Sequence, residues 1–486
     1  MSTNKSFVSN QIFLQVLNWL IKPVWIFLID REVQNLLGEE VYGNYFFYLN
    51  TSLILMLLLD FGMHNFNAKE VGFNQRFLKI GTPGLAWLKL CMSILYFLLL
   101  YFLGLNSVFL LAIGLNQVLS SWILFYRTSL SGLHLFKFDA IFSVLDRLLS
   151  VFLLSLFLFS NTLRPLFTIQ TFVYLQTVAF VISLCILLVV SKQKNALYIL
   201  QKPSLVKLKK LFVSNLPFAM LTLLMTFYMR FDAIYINIFS ENSDLQTGLY
   251  AQGFRMLEAL SMYAMMFTGM LLPLFSRQIS QQVESSDLLN LVLKFVWIPA
   301  FFMMVLALFK SREVMELLYN YTDPVNRIQA SDTFRVLMFA FIPMSGSLVL
   351  GTYLTAASKL KQLIWSSLLA FLTLTIFSMV FITNKGSLGA AYSVFAAQGV
   401  VFICFVHVYI KFKNEKLVHF ILSQKQILLF GGLLYTLNRI LWAIFNTDFV
   451  IFLGVNILLI VLLVIVLKLF NLTNLKKILK DRIKTI

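Results

Sequence analysis

About fourteen stretches of roughly 20 mostly apolar residues follow one another along this chain, and the links between them are too short to hold a folded domain. Lipid leaves the backbone to satisfy its own hydrogen bonds, so runs of that length and apolarity are expected to cross a bilayer as helices. The runs fall at 7–29, 42–63, 84–103, 107–127, 140–160, 167–190, 211–239, 247–275, 291–309, 334–356, 363–383, 387–410, 427–445 and 449–470. The longest link, 310–333, has about 24 residues, which leaves no room for a soluble catalytic domain. Of 486 residues, 59% are apolar and only 12% charged, with 50 Phe, and a water-soluble core cannot take up so much apolar surface while so few charges cover the outside. This excludes a soluble enzyme, a disordered chain and a disulfide-stapled domain. An outer-membrane barrel would alternate polar and apolar residues instead of running solidly apolar. Cys91, Cys185 and Cys404 stand far apart in apolar runs, which is neither a disulfide framework nor a metal site. Nothing in the chain asks for a cofactor.

A net charge of +18 would suggest nucleic acid in a soluble domain. In a membrane protein the placement of Lys and Arg matters more, because they mark the cytoplasmic links. With the N-terminus inside, the inner segments hold about 24 Lys and Arg and the outer links about six. One missed span would invert everything after it and spoil that bias, so the count also supports the span assignment and two cytoplasmic termini. The stretch Lys192–Lys210 and the basic tail suit anionic lipid headgroups as well as orientation. Residues Met1 to Pro23 carry two Lys (Lys5 and Lys22) and no small-residue cleavage site, and read as a retained first span rather than a signal peptide.

The chain also looks internally repeated. Gly43-Asn44-Tyr45 opens span 2 and Gly248-Leu249-Tyr250 opens span 8. Each follows a span carrying a cation, Lys22 in span 1 and Arg230 in span 7. The match of motif, span order and cation predicts two six-helix lobes with two helices appended. The expected divisions are 1–200 (spans 1–6), 201–410 (spans 7–12) and 411–486 (spans 13–14 and a basic tail).

Ionisable groups inside a span are costly, so each needs a reason. Lys22, Arg230 and Arg255 are expected in the outer halves of spans 1, 7 and 8, Asp146 and Arg147 in the inner half of span 5, and Asp60 near the inner end of span 2. Asp232 follows Arg230, and Glu258 lies three residues after Arg255, a spacing that suits a simple ion pair on one helix face. Lys22 could instead snorkel outward, and Pro23 after it implies a kink. If spans 1, 7 and 8 face one another, Lys22, Arg230 and Arg255 make a cationic pocket suited to a pyrophosphate, since the planar guanidinium fork matches phosphate oxygens. Asp232 and Glu258 would moderate its charge, and Asp60, Asp146, Arg147 or Glu258 could serve charge balance or ion coupling. Asp30-Arg31-Glu32 begins the first outer link, and four histidines (His64, His134, His407 and His419) lie at span ends and links without ligand spacing.

Several motifs together resemble the Wzx-type polysaccharide flippases, relatives of the MATE drug exporters and of the lipid II flippase MurJ. They are Leu37-Gly38, Tyr42-Gly43-Asn44-Tyr45, Asp60-Phe61-Gly62, Arg230-Phe231-Asp232, Gly248-Leu249-Tyr250 and Phe254-Arg255-Met256-Leu257-Glu258. Leu272-Pro273-Leu274-Phe275-Ser276-Arg277, Thr355-Ala356-Ala357-Ser358-Lys359 and Gly386-Ser387-Leu388-Gly389-Ala390-Ala391 fit as well. The resemblance is diffuse but spans nearly the whole chain. It implies an all-α polytopic protein of the bacterial cytoplasmic (inner) membrane, with two bundles around a cavity lined by spans 1, 2, 7 and 8. It also implies export of undecaprenyl-pyrophosphate-linked oligosaccharide, an O-antigen or capsule/exopolysaccharide repeat unit, by alternating access. Membrane lipids and a polysaccharide polymerase are then its partners, and nucleic acid is not. Family members share a cationic cavity, which Lys22, Arg230 and Arg255 would supply, although Lys22 stands where Arg would be the better fork. A lipid II flippase and a multidrug exporter have the same fold, but a drug exporter favours acidic cavity residues to hold cations. A membrane polymerase or acyltransferase would show a large outer loop or a catalytic His or Asp site.

Cysteines substituted at Lys202 and Lys480 are expected to react with a membrane-impermeant maleimide from the cytoplasmic side only. Labelling of the two from opposite sides overturns the topology.

Overall fold

The structure, a computed structural model, describes residues 21, 23–60, 63, 64, 67, 71, 76–102, 107–133, 135–194, 205–282, 286–444 and 448–469. Every regular element among them is helical. A π-helical stretch, Trp25–Asp30, runs into α1 (Arg31–Leu37), so Asp30-Arg31-Glu32 lies on helix and not in a loop. Then come α2 (Glu39–Asp60), α3 (Thr82–Phe102), α4 (Val108–Gly132), α5 (Phe136–Phe142), α6 (Leu145–Leu158), α7 (Ile169–Gln193) and α8 (Leu205–Phe239). They are followed by α9 (Ser243–Ser280), α10 (Ser286–Leu318), α11 (Pro324–Ala356), α12 (Leu360–Lys413), α13 (Leu417–Ser423), α14 (Lys425–Ile444) and α15 (Phe449–Val466).

Among the described residues nine helices are long and apolar enough to cross a membrane, or ten with the α13–α14 pair, which is bent by 60°. One of the nine, α12, has 54 residues and joins the expected spans 11 and 12 across a break at Gly386. The more polar α8 and α9 have 35 and 38 residues. The expected first span lies mostly outside the described residues, so fourteen stands as an approximate count. The chain is a multi-pass membrane protein with an all-helical fold.

Cap residues fix where several helices begin. The side chains of Ser107 and Thr168 accept hydrogen bonds from the amides of Leu110 and Thr171, and Asp323 accepts from Val325 with Pro324 behind it. Packing divides the chain into two compact units, Met1–Asn237 and Ile238–Ile486. In the first, α4 packs against α7 and α2, while α2 also meets α3. Leu59, Tyr96, Leu100 and Val118 form one buried cluster there, and Met63, Leu85, Ala86 and Phe125 another. In the second, α11 is central and packs against α9, α10 and α12. Of its most apolar stretch 61% is buried, against 17% for α15, which leaves the flanks of α15 to lipid. What holds α15 is polar: Asn438 of α14 and Asn456 exchange reciprocal amide hydrogen bonds of 2.8 and 2.9 Å, both fully buried.

The helix α10 passes residue 309, where the sequence suggests a span end, and continues to Leu318 across a kink at Lys310 (φ −133°, ψ 25°). The expected 24-residue outer link shrinks to Tyr319–Asp323. The kink is held by side chains. Arg335 donates to the Ala307 carbonyl (3.3 Å), the Ser311 hydroxyl (2.9 Å) and Asp332 (2.8 Å). The Lys310 ammonium meets Glu313 at 2.8 Å and lies 4.6 Å from the centre of the Trp442 ring.

The break in α12 depends on one residue. Gly386 has φ +52°, and a Cβ there would come within 2.1 Å of the Gln246 amide oxygen. That oxygen accepts from the Ser387 amide at 2.8 Å and from Gln329 at 2.6 Å. Gly386→Ala is expected to lower folded stability by about 1–3 kcal/mol, seen as an earlier thermal midpoint of the detergent-solubilised protein. Gly399→Ala, in the same helix with open space around its Cβ, should be neutral or slightly stabilising.

Candidate functional site

The structure places the expected site residues as follows. Lys22 lies outside the described residues. Arg230 on α8 is half-buried and donates to the Asn50 amide oxygen of α2 at 3.2 Å. Asn50 is fully buried, and its NH2 group donates to the Phe46 carbonyl one turn back (2.8 Å), which turns its oxygen to the guanidinium. Asp232, also buried, accepts from the Ala233 amide at 2.8 Å. In the second unit Arg255, 8% exposed, pairs with Glu258 at 2.7 Å on the same face of α9, the ion pair their spacing suggests. Asp146 sits in the first turn of α6, where the helix dipole favours a carboxylate. Its Oδ1 is buried without a hydrogen-bond partner among the described residues. Arg147 is half-buried beside it.

Asp60 is drawn into a cluster that the sequence reading does not assemble. Its carboxylate caps the His64 amide (3.1 Å) and meets His64 Nδ1 at 2.5 Å. On the far side of the imidazole stands Lys89 of α3, with no exposure at all. Its Nζ donates to the Leu59 carbonyl (2.9 Å) and to the Ser121 hydroxyl of α4 (2.6 Å), and lies 3.3 Å from His64 Nε2. The Phe125 and Trp122 rings flank the ammonium, their centres 5.7 and 5.9 Å away. The signal for Lys89 is a lone cation inside the apolar run 84–103, and Asp60 and His64 stand at i, i+4. What no pattern reveals is that residues 59–64, 89 and 121 meet.

A second polar knot lies close by in the chain. Asn67 donates to the hydroxyls of Thr128 (2.8 Å) and Ser129 (3.0 Å) and accepts from Thr82 (2.9 Å). Arg127 pairs with Asp139 at 2.8 Å, tying α4 to α5. Tyr42, of the motif that opens span 2, donates to the buried Asp30 at 2.7 Å. In the second unit a mostly apolar groove of roughly 500 Å³ runs along α13 and α14, between Leu422, Leu429 and Leu433, with Lys425 on its lining.

Residues 9–279 match the model of a family described as polysaccharide biosynthesis protein. The chain belongs to this family. In fold the chain is similar to solved transporters. The lipid II flippase MurJ in an inward closed conformation is similar with a TM-score of 0.67 at 12% identity, covering 95% of this chain and 97% of that one. A transporter of the MOP superfamily from Pyrococcus furiosus, described as having a binding pocket of reversed polarity, gives 0.58 at 14% identity over 84% and 96%. A MATE transporter in its straight conformation gives 0.57 at 14% identity over 85% and 96%. No curated protein sequence matches the chain significantly. The family and the shared fold both fit the Wzx-type resemblance of the sequence.

Asn67 satisfies three side chains at once, so truncating it orphans buried hydroxyls. Asn67→Ala is expected to cost about 1–3 kcal/mol and to lower the thermal midpoint accordingly. An unchanged midpoint would show that the knot carries no stability.

Proposed function

We propose that this protein is a flippase that carries an undecaprenyl-pyrophosphate-linked oligosaccharide from the inner to the outer leaflet of the bacterial cytoplasmic membrane by alternating access. The observation that supports this reading is the pairing of a polysaccharide-biosynthesis family with the fold of a lipid-headgroup transporter. Two lobes, 1–200 and 201–410, followed by 411–486, form the working units, with both termini cytoplasmic. The cargo is a doubly anionic pyrophosphate with sugars on one side and a polyprenyl chain on the other. Arg230 and Arg255, with Lys22, contact the pyrophosphate, and Asp232 and Glu258 hold the cations in place when it leaves. The apolar groove beside α14 suits an isoprenoid chain that stays in lipid while its headgroup crosses, and Lys425 suits its anionic end. A membrane potential, inside negative, favours outward movement of about two negative charges by about 4–5 kcal/mol per 100 mV.

The test is flipping in proteoliposomes, read as exposure of the headgroup glycan to an external oxidant. Wild-type protein is expected to flip the lipid-linked oligosaccharide faster when an inside-negative potential is imposed. Arg230→Ala and Arg255→Ala should run as monodisperse protein and lose at least about tenfold in rate, with Lys22→Ala milder. Arg255→Lys keeps the charge but loses the fork and should fall between. Normal flipping by the Arg230→Ala, Arg255→Ala double variant would rule the site out. Preference for lipid II would favour the lipid II reading, and no flipping of either would end the proposal.

A further inference from the structure

The cluster at the end of α2 has a hydrogen-bond logic that goes beyond anchoring a lysine. The Lys89 ammonium has three protons and three acceptors: the Leu59 carbonyl, the Ser121 hydroxyl and His64 Nε2. For Nε2 to accept, His64 must be neutral and carry its proton on Nδ1, which is the nitrogen that meets the Asp60 carboxylate. The three groups then sum to zero charge and every donor is used. One further proton cannot be added without breaking this arrangement. It would go to Nε2, turning an acceptor into a donor that faces an ammonium at 3.3 Å. The Ser121 carbonyl, 3.3 Å from the same Nε2, is placed to accept that new N–H.

We propose that Asp60, His64 and Lys89 form a binding site for one exchangeable proton, and that protonation of His64 takes from Lys89 one of its three acceptors, leaving the Leu59 carbonyl and the Ser121 hydroxyl. In the first state His64 Nε2 accepts from Lys89, and in the second it donates to the Ser121 carbonyl. The proton comes from water and the cluster charge rises from zero to +1. Access is through Asp60, whose side chain is 32% exposed, while that of His64 is 7% exposed. Among the described residues, the charged groups that face the imidazole are Asp60 from α2 and Lys89 from α3. Helix α4 offers only the Ser121 hydroxyl and carbonyl with the Trp122 and Phe125 rings nearby. Because Lys89 joins α3 to both α2 and α4, losing its third acceptor loosens a three-helix clasp in the first unit. That this loosening drives transport rests on the flippase reading, whereas the proton site does not.

Hydrogen–deuterium exchange at the imidazole Cε1, read peptide by peptide by mass spectrometry, titrates each histidine in the unmodified protein. His64 is expected to titrate with a midpoint below that of an ordinary imidazole, because burial, together with the neighbouring Lys89 ammonium, disfavours the imidazolium. Lys89→Gln removes the repelling charge and should raise that midpoint by about 1–3 units, and Asp60→Asn should lower it. Asp60→Asn alters a partly exposed side chain and carries the test if Lys89→Gln does not fold. A His64 that does not titrate, or whose midpoint neither substitution moves, reduces the cluster to an inert clasp and overturns the proposal. In proteoliposomes a pH gradient should change the wild-type flipping rate but not that of His64→Gln, with the response to potential retained. If the wild type flips nothing while His64 still titrates as expected, the functional reading fails and the proton site stands.

Discussion

Lipid offers no hydrogen bonds, and that constraint governs where polar groups can stand in this protein. A backbone carbonyl freed by a kink, an amide side chain or a charge within the bilayer needs a partner from the protein itself. The structure supplies those partners one by one. Arg335 takes the Ala307 carbonyl freed where α10 bends, Asn438 and Asn456 satisfy each other between α14 and α15, and Lys89 spends all three of its protons on α2, the imidazole and α4. Apolar packing alone gives little direction in such a medium, because lipid tails are as apolar as leucine. Polar ties therefore set which helices are neighbours, and small changes in their protonation or pairing can be felt across several helices.

The two breaks in long helices follow the same economy. At Gly386 the positive φ ends one run of helix and starts the next, and the Gln246 amide oxygen accepts from both the buried Ser387 amide and Gln329. At Lys310 the chain keeps its helical course and the cation is absorbed by Glu313 and the Trp442 face. Within the membrane-spanning region Arg255 is paired with Glu258, and Arg230 donates to the Asn50 amide oxygen.

Much of this was legible in the residues. Runs of apolar residues marked α2, α3, α4 and α7 to within about five positions, because crossing lipid demands a minimum apolar length. The i, i+3 spacing of Arg255 and Glu258 announced their ion pair. The end of α10 was misplaced, since Lys310 and Arg312 read as loop charges, whereas Glu313 pairs with Lys310 and Arg335 holds the Ala307 carbonyl and the Ser311 hydroxyl where the helix continues to Leu318. His64 looked like one of four scattered histidines because its meaning lies in Lys89, which is 25 positions away in the chain.

The sequence by itself determined that this is a multi-pass helical membrane protein and which side chains carry charge into the bilayer, because hydropathy and helix length are local properties. It also carried enough diffuse motif to point to a flippase family. Only the tertiary structure decided which charges meet. Lys89 had no visible partner along the chain and has three in space, and Asp60 changed from a solvated span end into one edge of an Asp–His–Lys cluster. The physical reason is that a hydrogen bond depends on a few ångströms of separation between helices, and the register of helix against helix is fixed by packing that no single segment encodes.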